Sequence, residues 1–137
     1  MTGRAASVAT VLEGTRAEGR AALVGYLPVG FPDLATSLEA LRAMVRAGAD
    51  VVEVGVPYSD PLMDGEVIQR AADAALAAGT RVRDVFTAVT AVAEEGAPAL
   101  VMTYWNVVER YGVDRFAADL AGAGGAGVIT PDLIPDE

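Results

Sequence analysis

The sequence predicts an α/β fold in which a parallel sheet is built from strands that alternate with helices. Short β-branched runs alternate with segments of helical spacing, and the runs are continuously apolar, which is typical of strands covered on both faces. Helical segments also end repeatedly on glycine, two or three residues before an apolar run begins. This repeated αβ unit favours a parallel sheet. The four runs occupy residues 23–27, 51–56, 99–104 and 128–130.

The first two helices are predicted over residues 7–18 and around residues 34–45. In the second helix, leucine and valine recur at i, i+4, i+7 and i+11, which aligns them on one face. Its N-terminus is either a capping box at residues 36–39 or an Asp33 cap one turn earlier. In the first and weaker helix, the residues expected to face inward are Val8, Val11 and Leu12.

Three further helical segments precede the third and fourth strands. One begins near Glu66, and the next carries an apolar stripe over residues 82–92 behind a Thr80 cap. The last carries an apolar stripe over residues 116–120 and ends in the glycine-rich residues 122–125.

Two architectures fit four βα units, namely the (β/α)₈ barrel and the open doubly wound sheet. A barrel needs about 250 residues, so the 137 residues would form its N-terminal half. In that case residues 1–137 are expected to be a single partial domain. Long polar loops follow the second and third strands, at the carboxyl ends where both architectures place active sites.

Composition excludes several kinds of site within these residues. The chain contains neither histidine nor cysteine, and all ten of its basic residues are arginine. A His/Cys zinc site, a cysteine nucleophile, a Ser-His-Asp triad and a Schiff-base lysine are therefore excluded. The formal net charge of −9 argues against nucleic acids and anionic membranes as partners. Because cysteines and an apolar N-terminal segment are both missing, we expect a cytoplasmic protein.

Glu53 is the most unusual residue of the predicted strands, because it is a carboxylate within an apolar run. By two-residue alternation it shares a face with Val51 and Gly55, where we expect it to be buried. Burial favours the neutral form of a carboxyl group, which suits a general acid or base. The alternative is a structural glutamate paired with an arginine of a neighbouring strand, and the residues alone leave the two interpretations about equal.

Asp60 and Asp64 lie in the loop after the second strand. Asp60, in a Ser-Asp-Pro sequence, fits ordinary turn chemistry, and Asp64 is placed to cap the next helix. Taken singly, each structural explanation is favoured over a functional one. A second carboxylate near Glu53 nevertheless matches the pattern in which two carboxyl groups divide acid and base roles.

Tyr104, Trp105 and Asn106 are predicted to close the third strand. They either pack as aromatic residues at a strand end or form a wall and a polar group for a planar aromatic substrate. Asp132, just after the fourth strand, has a similar and weaker claim. The glycines of residues 122–127 fit G-x-G-x-x-G, but they follow a helix and precede a strand, so we interpret them as an αβ turn rather than a dinucleotide site.

Six short motifs occur in order along nearly the whole chain. They are residues 30–33 (GFPD), 47–50 (AGAD), 53–61 (EVGVPYSDP), 64–65 (DG), 102–106 (MTYWN) and 131–133 (PDL). Together they closely resemble the alpha subunit family of tryptophan synthase, and the glutamate-to-aspartate block is highly specific. The chain departs from that family at Glu66, where proline is usual, and at Met63, where many members have alanine.

The resemblance implies a (β/α)₈ barrel that cleaves indole-3-glycerol phosphate to indole and glyceraldehyde 3-phosphate, a retro-aldol reaction that needs neither metal nor lysine. It implies that Glu53 is the acid/base residue, that Asp64 binds the indole N–H, and that Tyr26, Tyr104 and Asp132 contact the substrate. The family's phosphate site lies in loops after the seventh and eighth strands, beyond these residues. The 137 residues alone are therefore expected to be inactive, and to aggregate or dimerise because a half-barrel exposes two strand edges.

The resemblance also implies a partner, the beta subunit of tryptophan synthase, in an alpha2-beta2 complex. It places Pro57, Ser59, Asp60 and Asn106 on the surface that meets this partner. No cofactor is implied for this chain, and pyridoxal phosphate is expected only in the beta subunit, which receives indole. An alternative function is a non-catalytic, truncated alpha chain that only binds or modulates a beta subunit.

Overall fold

The computed structural model describes residues 6–60 and 62–136 of the chain. Pro61, which belongs to the longest motif, therefore lies outside the described residues. The elements are α1 (Val8–Ala17), β1 (Val24–Pro28), α2 (Leu34–Arg46), β2 (Val51–Gly55), α3 (Glu66–Ala77), α4 (Val82–Glu94), β3 (Ala99–Met102), α5 (Trp105–Tyr111), α6 (Val113–Gly122) and β4 (Gly127–Ile129). None of the helices in the described ranges combines the length and apolar character that crossing a membrane requires.

The strands form one parallel sheet in the order β1-β2-β3-β4. Tyr26 of β1 is in register with Glu53 of β2, and Glu53 is in register with Leu100 of β3. An open doubly wound sheet reverses its strand order at a switch point, and the described strands contain no such reversal. The strand order therefore favours the barrel, in which each strand lies beside the next one along the chain.

The helices pack against one face of this sheet and form the core with it. The fully buried side chains on this side are Val52, Val54, Ala99 and Val101 from the strands and Leu41, Val85, Val89 and Val92 from the helices. Burial of each valine or leucine stabilises the fold by roughly 1.5–3 kcal/mol. The opposite face of the sheet, called the inner face below, carries Tyr26, Glu53 and Leu100, which are only partly buried. Within the described residues, the inner face is thus less covered than the face that packs against the helices.

The N-termini of α2 and α4 test the capping residues that the sequence predicts. Asp33 caps α2, because its Oδ1 accepts the Thr36 N–H at 2.8 Å and its Oδ2 accepts the Thr36 hydroxyl at 2.9 Å. The predicted Thr80 cap of α4 is wrong. That helix begins behind Arg81, whose N–H donates to Asp84 at 2.7 Å, and Thr80 is buried instead.

The bounds of α1 agree with the prediction to within one residue, but its inner stripe differs. Leu12 is 45% exposed, so the expectation that it faces inward is wrong. Thr15 is buried in its place, and its hydroxyl donates to the Leu12 carbonyl at 3.0 Å. The helical stripe runs through Val8, Val11 and Thr15, at i, i+3 and i+7, which leaves Leu12 to one side of it.

The third strand ends earlier than predicted, at Met102. Trp105 and Asn106 do not close this strand but form the first turn of α5, so that part of the prediction is wrong. Tyr104 and Trp105 are aromatic and therefore continue the strand-like pattern of the sequence. Strand propensity, however, mainly reflects how a side chain packs in the folded protein, so the pattern alone does not fix where the strand ends. A tertiary contact turns the chain here, since the Trp105 N–H donates to both carboxylate oxygens of Asp132 at 3.0 and 3.2 Å.

Candidate active site

The candidate site lies on the inner face, where the carboxyl ends of β1, β2 and β3 meet. Parallel strands bring the loops that follow them to the same edge of the sheet. Glu53 projects from β2 between Tyr26 and Leu100 of the adjacent strands. Its side chain is only partly buried, so the burial expected for it is not observed, because the described helices cover the other face.

Within residues 6–60 and 62–136, Glu53 has no charged partner that would explain it structurally. None of the arginines in residues 6–60 and 62–136 forms an ion pair with it. The interpretation of Glu53 as half of a structural ion pair therefore finds no support in the described part of the chain. Glu53 therefore remains a candidate for general acid or base chemistry.

Tyr26 lies beside Glu53, and the lack of a side chain at Gly55 leaves room for its ring. A β-carbon at Gly55 would overlap the Tyr26 hydroxyl, so the phenol packs directly over the end of β2. Burial, and then the nearby charges of Asp64, Tyr104 and Glu53, raise the pKa of Tyr26 to about 12. The Tyr26 phenol is therefore neutral at physiological pH and able to donate a hydrogen bond.

Asp64 lies beside Tyr104 at the end of the loop between β2 and α3. The backbone N–H of Met63 donates to the Tyr104 hydroxyl at 2.9 Å, which brings the neighbouring Asp64 close to that phenol. Burial and the Asp64 carboxylate raise the pKa of Tyr104 above its ordinary value. Asp64 does not cap α3, because Gly65 occupies the N-cap position without a side-chain hydrogen bond. Its carboxylate is thus not used to begin the helix.

The charges of both candidate carboxylates act on the Tyr26 phenol. Both Glu53 and Asp64 lie near enough to Tyr26 to raise its pKa, although eleven residues separate them in the chain. One belongs to strand β2 and the other to the loop that follows it. Two carboxyl groups in different surroundings can divide acid and base roles between them.

Tyr58, which the sequence prediction assigned no role, joins the same loop to α5. Its ring packs against Tyr104, with ring centroids 5.5 Å apart and an interplanar angle of 47°. Its hydroxyl accepts the Asn106 side-chain N–H at 2.9 Å. A partly buried tyrosine needs a partner for its hydroxyl, and that is the only signal by which the sequence points to this contact.

The residues expected at a partner surface occupy unequal positions. Ser59, Asp60 and Asn106 are exposed, whereas Pro57 is buried and contributes to the shape of the loop rather than to its surface. The bond between Tyr58 and Asn106 brings the loop and the first turn of α5 together on one side of the molecule.

An apolar groove of about 340 Å³ lies apart from these carboxylates, between α5, α6 and β4. Its lining includes Trp105, Phe116, Leu120, Gly127, Val128 and Thr130. It contains neither Glu53 nor Asp64, so it is not part of the candidate site. Across the described ranges, no three carboxylates cluster closely enough to hold a metal ion.

Comparison with known proteins identifies the family. A profile of the tryptophan synthase alpha chain family matches residues 12–137. The tryptophan synthase alpha chain of Thermobifida fusca is 69% identical over 122 residues, covering 89% of this chain and 45% of that protein. The corresponding protein of Mycobacterium marinum is 61% identical over 133 residues, covering 97% of this chain and 49% of that protein. The chain thus spans about half the length of these curated relatives.

Solved structures agree with the sequence comparison. A crystal structure of tryptophan synthase from M. tuberculosis in an aminoacrylate-bound form matches with a TM-score of 0.93 and 60% identity, covering 96% of this chain and 54% of that chain. Tryptophan synthase subunit alpha from Legionella pneumophila matches with a TM-score of 0.89 and 37% identity, covering 94% of this chain and 50% of that chain. The chain therefore belongs to the tryptophan synthase alpha chain family, and its four parallel strands form about half of that family's (β/α)₈ barrel.

Proposed function

We propose that the complete protein to which these residues belong cleaves indole-3-glycerol phosphate to indole and glyceraldehyde 3-phosphate in tryptophan biosynthesis. The observation that supports this most directly is that Glu53 is in register with Tyr26, while the bond from the Met63 N–H to Tyr104, just after β3, brings Asp64 to the same edge of the sheet. Family membership supports the same reaction, since the resemblance assigns the acid/base role to Glu53 and the binding of the indole N–H to Asp64.

The proposed chemistry is a retro-aldol cleavage. Glu53 donates a proton to the indole ring carbon that carries the glycerol chain, and the ring becomes an electron sink. Asp64 accepts a hydrogen bond from the indole N–H and stabilises the positive charge that develops on nitrogen. The carboxylate that Glu53 becomes in the first step takes the proton from the adjacent glycerol hydroxyl, and the aldehyde forms as the carbon–carbon bond breaks. The bonding pair returns to the ring and restores neutral indole.

Substrate contacts are proposed for Tyr26, Tyr104 and Asp132. Tyr26 donates from a neutral phenol, and the buried Tyr104 ring forms a flat wall for an aromatic substrate. Asp132, after β4, accepts the Trp105 N–H at the N-terminus of α5, next in the chain to Tyr104. The three residues come from different elements, as is usual at the carboxyl end of a barrel.

The test is a Glu53→Gln substitution in the complete protein. The amide keeps the shape of the side chain and removes its titrating proton, so we expect kcat to fall roughly 100- to 10,000-fold. The matched control is Glu13→Gln, at an exposed glutamate on α1 that is remote from the inner face. A Glu53→Gln variant with near wild-type kcat would refute the proposed role.

We also propose a partner, the tryptophan synthase beta subunit, in an alpha2-beta2 complex. Ser59, Asp60 and Asn106 present the exposed surface for it, and Pro57 shapes the loop beneath. Pyridoxal phosphate would be held by that partner, since this stretch contains no lysine to bind it. Charge reversal at Asp60 should weaken binding to a purified beta subunit, and unchanged affinity would argue against this surface.

Residues 1–137 are proposed to form one partial domain that needs the remaining half of its barrel. The apolar groove between α6 and the β4 edge supports this, because a further strand and helix of a barrel would cover it. A polypeptide of residues 1–137 alone should lack lyase activity and should associate in solution. Monomeric behaviour together with full turnover of indole-glycerol phosphate would contradict this proposal.

A second candidate function follows from the exposed loop surface and from the length of the chain relative to its relatives. In it, residues 1–137 do not catalyse but bind and modulate a beta subunit. The activity of the beta subunit, measured with and without this polypeptide, decides between the two. A change in beta activity without indole-glycerol phosphate cleavage would favour the second function.

A further inference from the structure

We infer that Tyr58 and Tyr104 act together as positioning residues, which hold the β2–α3 loop, and with it Asp64, in a fixed place beside the inner face. The described residues of this loop are 56–60 and 62–65. The inference rests on the proposed function for the importance of Asp64, but the contacts that carry it are independent of any reaction.

The first attachment of the loop is made by Tyr104. Its hydroxyl accepts the Met63 N–H at 2.9 Å, and its side chain is 6% exposed, so water competes little for this bond. Met63 directly precedes Asp64 in the chain. A fixed Met63 backbone therefore fixes the point from which the Asp64 carboxylate projects.

Tyr58 makes the second attachment. It belongs to the loop itself and lies five residues before Met63. Its hydroxyl accepts the Asn106 side-chain N–H at 2.9 Å, and its ring packs on Tyr104 at 5.5 Å. The loop is thus attached near both of its ends to the segment that begins α5. The two attachments share the Tyr58–Tyr104 contact, so a change at one is expected to reach the other.

The segment that receives the loop is itself held in place. Asp132 accepts the Trp105 N–H at the start of α5, one residue before Asn106. A continuous set of contacts therefore runs from the loop after β4, through the first turn of α5 and the two tyrosines, to Asp64. In this view the Asn106 amide has an internal task, which is to orient Tyr58.

The activity test uses the complete protein and four variants without the beta subunit. Tyr58→Phe keeps the ring and removes the hydroxyl, Asn106→Leu removes the donor at similar volume, and the double variant removes both. We expect each single variant to lower kcat about five- to tenfold, the range expected for one lost hydrogen bond, with a smaller change in KM. The double variant should be no worse than the more affected single variant, because both remove the same bond. Asn106→Asp should restore most of the rate, since the Tyr58 hydroxyl can donate to the new carboxylate.

A second readout does not depend on the reaction. Hydrogen exchange of the Met63 N–H, followed by NMR, should accelerate about five- to tenfold in Tyr58→Phe and at least as much in Tyr104→Phe. The matched control is Tyr111→Phe, which removes a phenol hydroxyl bonded to Asp119 within the α5–α6 pair. That variant should leave both kcat and Met63 exchange unchanged.

The outcomes separate the inference from the proposed function. Wild-type protein without lyase activity would refute the function, and the exchange measurements would still decide the inference. Unchanged Met63 exchange in Tyr58→Phe, or additive effects of Tyr58→Phe and Asn106→Leu on kcat, would overturn the inference even if the enzyme is fully active. Faster exchange with non-additive losses of kcat supports it.

Discussion

The side chain of Thr80, between α3 and α4, occupies the space where a β-carbon of Gly30 would stand. Gly30 follows β1 with a φ of +90°, a conformation that glycine adopts without strain. Its N–H donates to the buried Ser37 hydroxyl at 2.9 Å. The loop after β1 is therefore packed against α2 on one side and against Thr80 on the other, and only glycine meets both requirements.

Gly30→Ala should destabilise the complete protein by at least about 1–3 kcal/mol, because the substitution adds both backbone strain and overlap with Thr80. Urea unfolding measures the change. The control is Gly14→Ala, inside α1, where a new β-carbon meets nothing within 4 Å. That variant should be stabilised by about 0.5–1 kcal/mol, since alanine is the better helix former. Equal stability of the two variants would contradict this account of Gly30.

Asp64→Asn should lower the kcat of the proposed reaction by roughly 100-fold or more, since the amide cannot stabilise positive charge on the indole nitrogen. Steady-state kinetics on the complete protein measure this effect. Asp73→Asn, at an exposed position on α3, is the matched control and should leave kcat unchanged. A loss of activity that is equal in the two variants would point to a general effect of removing charge instead.

Gly55→Ala should disturb Tyr26 without disturbing the core, because the new methyl group enters the space of the phenol hydroxyl on the inner face. A displaced Tyr26 should reduce kcat/KM roughly 10- to 100-fold, as expected when a substrate-contacting group moves by about 1 Å. Gly122→Ala, at the end of α6, is the control, since its new β-carbon meets nothing within 4 Å. Wild-type kcat/KM in Gly55→Ala would show that the position of Tyr26 is unimportant.

Acid should remove a contribution that Asp50 makes to stability. Its carboxylate accepts two hydrogen bonds from Arg20, both at 2.9 Å, and the Leu23 N–H at 2.8 Å, and these contacts lower the pKa of Asp50 to about 2. Because the pKa in the folded state lies below the unfolded value of about 3.9, the contribution is complete above pH 4 and is lost as the pH falls toward 2.

The corresponding measurement is the free energy of unfolding of wild type and Asp50→Asn from pH 7 to pH 2. The variant should be less stable than wild type at pH 7, and the difference should shrink between about pH 4 and pH 2 as the wild-type carboxylate is protonated. A difference for Asp50→Asn that stays constant down to pH 2 would contradict the role of the ionised carboxylate.

The local pattern of apolar residues predicted most of the secondary structure. The wrong predictions share one cause, which is contact with residues distant in the chain. The apolar runs became strands and the periodic segments became helices, because burial repeats every two residues in a strand and every 3.6 residues in a helix. Trp105 and Asn106 were predicted to close a strand but begin α5, because the Trp105 N–H bonds to Asp132, 27 residues away. Leu12 was misplaced because the phase of a weak helix is set by what it packs against.

The sequence by itself determined the order of strands and helices, the absence of several catalytic residue types, and the motifs that mark Glu53 and Asp64. These features are local, so neighbouring residues are enough to record them. Only the tertiary structure decided that Glu53 lies in register with Tyr26, that the Met63 N–H bonds to Tyr104 beside Asp64, and that Tyr58 contacts both Tyr104 and Asn106. Those relationships depend on strand register and on contacts between distant segments, which no local pattern of residues encodes.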